Sequence, residues 1–151
     1  MPEETESDQL ERNFSELLQE LRVAQAGVQI LFAFLLTIVF TPVFERVSTF
    51  ARDLHLTTVL LAAGSAAFLT APAAWHRVLF RHGRRREILH AANIFALIGL
   101  GMLAASMSCT VLLVGAVVVP GWPAALMGAV SGLVFFGLWF ALPARLRNRS
   151  H

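Results

Sequence analysis

Arg12-Asn-Phe-Ser-Glu-Leu-Leu-Gln-Glu-Leu-Arg-Val-Ala-Gln-Ala-Gly-Val-Gln-Ile-Leu-Phe-Ala-Phe-Leu-Leu36 joins a charged segment to an apolar one near the start of the chain. It starts charged and helix-favouring and becomes apolar after Arg22 without a break. It therefore reads as one helix that leaves water and enters a hydrocarbon layer. Arg22, Gln25 and Gln29 travel with it. Polar side chains at membrane depth cost free energy unless they are paired, so this segment is where a site is expected.

The apolar block from about Val23 to Thr41 stops at Pro42, and further blocks run 56–75, 88–119 and 122–142. The second contains Pro72, the third is longer than a span requires, and the fourth stops at Pro143. About 20 helical residues cross a core of about 30 Å, and none of the blocks shows the alternation of a barrel strand. The expected fold is all-α, a four-transmembrane-helix bundle over 11–143. An acidic disordered tail over 1–10 and a basic tail over 144–151 flank it. Met1-Pro-Glu-Glu-Thr-Glu-Ser-Asp8 has no basic n-region and does not read as a signal peptide.

Composition agrees. The chain of 151 residues is 56% hydrophobic and only 15% charged, against roughly a quarter charged in soluble domains. The single Cys, Cys109, excludes an internal disulfide and a Cys-rich metal site. All 12 basic residues are Arg. Only Arg46 and Arg52 fall between the first and second spans, and the other ten share the opposite side with both termini. The positive-inside rule places that side, including the Arg77–Arg86 loop, in the cytoplasm of a bacterial cell bounded by the inner membrane. Anionic headgroups are the expected partners of Arg77–Arg86 and Arg145–Arg149, and nucleic acid is not expected. Trp75 and Trp139 suit the inner interface and Trp122 the outer one. Between Val43 and His55, apolar residues recur at helical spacing. They suit either a short helix in the outer headgroup region or an extension of a neighbouring span.

A continuous helix from Glu11 to Thr41 is about 46 Å long and carries Gln29 about 16 Å below its outer end, near the midplane. Gln25 then lies in the inner leaflet and Arg22 at the inner boundary. At 100° per residue the three fall within about 60° of one another, a polar stripe. One reading is helix–helix glue through the Gln amides; the other is a hydrated ion or proton path. Glu16, Glu20, Arg22, Gln25, Gln29, His76, Arg77, His90 and Asn93 are the candidate cluster at the cytoplasmic mouth. A His there could sense pH near neutrality. Ala124, Gly128 and Gly132 form a small-residue ladder on the fourth span, suited to internal packing or to a dimer face. Gly99, Gly101 and Ala105 are candidates for the opposing surface. A homo-oligomer is compatible with such faces.

No metal-ligand spacing, catalytic triad, phosphate loop or nucleotide motif is present. No cofactor, metal or enzyme activity is expected.

Glu16-Leu-Leu-Gln-Glu-Leu-Arg-Val-Ala-Gln-Ala-Gly-Val-Gln-Ile-Leu-Phe-Ala-Phe-Leu-Leu36 resembles the opening of a family of small actinobacterial membrane proteins of unassigned function. Pro72, His76-Arg77-Val-Leu-Phe80, the Arg81–Arg86 region and Ala91-Ala-Asn93 are similar to later elements of that pattern. The resemblance covers about residues 12–105. It implies that Glu16, Glu20, Arg22, Gln25, Gln29, His76 and Arg77 form one signature. Members are sometimes labelled sodium:proton antiporter, whereas four spans without an embedded carboxylate suit a structural or regulatory membrane module better. A cation or proton channel or transporter is the alternative.

Overall fold

The computed structural model describes residues 6–79, 85–119 and 121–148. The side chains of 6–8, 10, 11, 76–79, 85–88, 147 and 148 fall outside that description. Among the described residues the regular structure is helical: α1 (Glu6–Ile38), α2 (Pro42–Glu45), α3 (Thr49–Leu79), α4 (Arg85–Val118), α5 (Trp122–Phe136), a π-helical turn (Gly137–Ala141) and α6 (Leu142–Asn148). Four segments, Arg12–Ile38, Thr49–Trp75, Leu89–Val118 and Trp122–Leu146, are long and apolar enough to cross a membrane. The architecture is a four-helix membrane bundle.

What holds it together is a seven-residue repeat. On α1, Phe14, Leu21, Val28 and Leu35 are buried, with Leu17, Ala24 and Leu31 packed between them. On α3 the buried positions are Ala51, His55, Thr58, Ala62, Ser65, Leu69 and Pro72. On α4 they include Ala92, Ala96, Gly99, Leu103, Ser106 and Leu113. Steps of four and three keep one seam facing the neighbours and suit left-handed packing. The shared core of Leu21, Val28, Leu35, Ala62, Leu69, Ala96 and Leu103 lies among α1, α3 and α4.

The α3–α4 seam is lined by small and hydroxyl residues, so the two backbones run close. Ser65 Oγ donates to the Gly99 carbonyl at 2.8 Å, and Ser106 Oγ donates to the Thr58 carbonyl at 3.1 Å. A Cβ on Gly99 would come within 2.8 Å of Leu69 Cδ2. Gly99 therefore packs against α3 and not against the fourth span, contrary to the expectation. Gly101 lies near Phe140, while Ala105 is exposed. The surface that does oppose the α5 ladder lies further along α4. A Cβ on Gly128 would meet Leu112 Cβ at 2.8 Å, Gly115 faces Ala124 and Gly132 faces Ser108. The ladder is used inside the chain, where Ala124 and Gly128 are buried.

Several boundaries differ from those expected. α1 already begins at Glu6, inside the stretch assigned to a tail. It ends at Ile38, where turn bonds from Phe40 N–H to the Thr37 carbonyl and from Thr41 N–H to the Ile38 carbonyl precede Pro42. Pro42 opens the short α2, the N-terminal place where a missing N–H costs nothing. Ser48 then caps α3, its Oγ accepting from Ala51 N–H at 3.3 Å. Residues 49–55 are thus the first turns of α3, with only 42–45 as a separate short helix.

The fourth span does not stop at Pro143. A π-turn over Gly137–Ala141, closed by Leu142 N–H donating to the Gly137 carbonyl, precedes it, and helix resumes to Asn148. Proline removes one i→i−4 bond and crowds the preceding turn. The wider i→i−5 turn lies where that crowding falls, so the chain passes through the proline without ending. Trp139 leans edge-on against Phe135 in this region, at 5.1 Å between ring centroids. Trp75 meets Phe95 edge-on at 4.9 Å, and Trp122 is exposed beyond α4.

Candidate functional site

The heptad seam of α1 decides where its polar residues go. With Leu21, Val28 and Leu35 turned inward, Gln25 flanks the seam and Arg22 and Gln29 point away from it. Gln25 is half-buried, and its Nε2 donates to the Leu69 carbonyl of α3 at 2.8 Å. That carbonyl lies three residues before the buried Pro72, in the turn the proline disturbs. Within hydrocarbon, carbonyls loosened by a proline are satisfied by neighbouring helices or hydroxyls. Thr70 Oγ1 makes an ordinary back-bond within α3, donating to the Ala66 carbonyl at 2.8 Å. Gln25 supplies such a bond to the Leu69 carbonyl from across the interface.

The expected stripe is therefore split. Gln25 is packing glue, whereas Arg22 and Gln29 are exposed on the outer face of α1. Gln29 makes no hydrogen bond among the described residues.

The lower members of the cluster do come together. A cleft of about 500 Å³ between α1 and α4 is lined by Asn13, Glu16, Leu17, Glu20, Leu89, His90 and Asn93. Because α1 and α4 run parallel, the first turns of both reach the same end of the bundle, bringing residues about 75 apart in sequence face to face. Glu16, Glu20, His90 and Asn93 are all exposed there. Asn13 was not anticipated from the sequence, although it lies one turn before Glu16 and Leu17 on the same helix. The cleft is open and acid-lined. Arg22, Gln25 and Gln29 do not line it, and it ends at the level of Glu20 and Asn93.

The side chains of His76 and Arg77, which were expected to join the cluster, lie outside the described residues, as does the Arg81–Arg84 stretch. Among the described residues no group of three or more His, Cys, Asp or Glu could hold a metal ion. The carboxylates and amides of the cleft are suited to attracting cations and donating hydrogen bonds.

At the other end of the bundle, an apolar cavity of about 220 Å³ lies between the ends of α1 and α4, lined by residues such as Phe34, Ile38, Phe44, Val47 and Val117. α2 lines it through Val43 and Phe44. Phe44 also stands edge-on to His55 at 4.9 Å, and among the described residues the buried Nδ1 of His55 has no hydrogen-bond partner. His55 was not singled out by the sequence, because a histidine at an outer interface ordinarily reads as hydrated.

No curated protein and no solved structure matches the chain. A family of unknown function, DUF6328, matches residues 3–143, which takes in three of the apolar helices and most of the fourth, together with Gln25 and both walls of the cleft. The chain belongs to the DUF6328 family.

Proposed function

We propose that this protein is a small non-enzymatic module of the bacterial cytoplasmic membrane, structural or regulatory in role. Both termini and the 77–86 loop then lie in the cytoplasm. The observation that carries the reading is the Gln25–Leu69 hydrogen bond. It commits the deepest inward-leaning amide of α1 to packing, and the acid-lined cleft ends below it. An ion path would need polar groups and space to continue upward between the helices. Instead the seam above Gln25 is filled by Val28, Leu31 and Leu35. The Arg distribution supports the orientation, with the 77–86 loop and the 145–149 tail engaging anionic headgroups. We extend the same reading to the Glu16–Leu36 segment as a signature of actinobacterial members, because its residues supply the α1 seam, Gln25 and one wall of the cleft.

The second reading, a cation or proton channel or antiporter-like transporter, draws on Glu16, Glu20 and His90 at one vestibule. Flux measured in proteoliposomes separates the two. The module reading requires no cation or proton flux above protein-free vesicles; the transport reading requires flux that falls when Glu16 and Glu20 are neutralised.

A further inference from the structure

α1 carries a second seven-residue seam on its back. Gln19, Arg22, Ala26, Gln29, Ala33 and Leu36 follow one another in steps of three and four, and every one is exposed. The inward seam is filled by α3 and α4; the outward seam is covered by none of the described residues. The residue that matters there is Gln29. It stands seven residues above Arg22 and nine before Ile38, about 10 Å and about 14 Å along the helix. Two methylenes and an amide cannot carry its polar atoms to either boundary, as the long arm of Arg22 can. An acyl chain offers it neither donor nor acceptor, and an unpaired amide in hydrocarbon is costly.

We propose that the outward face of α1 is a homodimer interface in which Gln29 of one copy hydrogen-bonds Gln29 of a second copy. An amide both donates and accepts, so it is its own complement. Two copies inserted with the same topology and related by a two-fold axis along the membrane normal bring the two amides to one depth. Each then donates its N–H to the carbonyl oxygen of the other. A different membrane protein would have to supply a polar group at that depth; a second copy does so by symmetry. Ala26 and Ala33, roughly one turn below and above, let the backbones approach closely enough for the amides to meet. The Arg22 side chains, at the inner boundary, turn to lipid phosphates and not to each other.

The test uses the full chain in phosphatidylcholine/phosphatidylglycerol vesicles, with dimerisation read by energy transfer between labelled copies as the lipid:protein ratio is varied. The expected result is a dimer that Gln29→Leu weakens about five- to thirty-fold, while Gln29→Asn keeps part of the affinity. In a Cys109→Ala background, Ala33→Cys should crosslink between copies and Val134→Cys, exposed on α5, should not. Three results would overturn the proposal: a chain monomeric at every ratio, a dimer indifferent to Gln29→Leu, or crosslinking through α5. Co-purification with another membrane protein that Gln29→Leu abolishes would also overturn it, by naming a different occupant. The crosslinking arm keeps Gln29 intact, so it decides the matter even if the leucine variant inserts poorly.

Discussion

Gln25 of α1 donates a 2.8 Å hydrogen bond to the Leu69 carbonyl of α3, three residues before Pro72. One side-chain amide thereby joins two helices at the turn that a proline disturbs. Removing it should destabilise the bundle by about 1 kcal/mol, within the range measured for interhelical hydrogen bonds in membranes. Gln25→Leu, followed by unfolding in mixed micelles, checks this. Because the bond serves the proline-disturbed turn, the cost should shrink in a Pro72→Ala background, and a double-mutant cycle would report that coupling.

Glycines should divide by what a methyl group would meet. Gly128→Ala drives a Cβ to 2.8 Å from Leu112 Cβ, and Gly99→Ala drives one equally close to Leu69 Cδ2. Each should cost about 1–3 kcal/mol through overpacking. Gly27 has nothing within 4 Å, so Gly27→Ala should be neutral or stabilising by up to about 1 kcal/mol from helix propensity. Thermal unfolding of the three variants in one detergent gives the comparison.

The cleft residues should be dispensable for folding. Glu16, Glu20, His90 and Asn93 are exposed and close no helix seam. Glu16→Gln combined with Glu20→Gln should leave stability within about 0.5 kcal/mol. A larger loss in the same unfolding assay would mean that the carboxylates are tied into the bundle.

Orientation is open to a direct check because the chain has a single native cysteine. In a Cys109→Ala background, Ser48→Cys should react with a membrane-impermeant maleimide added outside spheroplasts. Ser15→Cys should react only after the membrane is opened. The reverse pattern would invert the topology.

The sequence displayed the spans and their punctuation plainly, because twenty-residue apolar blocks have few alternatives. The small ladder of α5 was also legible, since Ala124 and Gly128 do nothing else well. The inward faces were harder to read. In a membrane helix apolar residues cover all sides, so hydropathy does not select the buried one; the heptad steps of Phe14, Leu21, Val28 and Leu35 were present but not distinguished from Val23, Ile30 and Leu36. The signal that would have found the α3–α4 seam is Ala, Ser, Thr and Gly in steps of three and four. Pro143 misled for another reason: whether a proline ends a helix depends on whether the preceding turn can widen, and a π-turn leaves little trace in composition. At the site, the meeting of Glu16, Glu20, His90 and Asn93 at one end of the bundle was readable from where their helices begin. The partner of Gln25 was not, because a backbone carbonyl has no signature in the sequence.

Proton and sodium flux through the purified full chain, measured in liposomes under an imposed pH gradient, distinguishes a sealed bundle from a conducting one. If α1 is sealed by Gln25 and the apolar seam above it, flux should equal that of protein-free vesicles for the wild type and for Glu16→Gln/Glu20→Gln alike. A flux above that baseline, lost in Gln25→Leu or in the Glu16/Glu20 variant while the bundle stays folded, would contradict the account and make the cleft the entrance to a path.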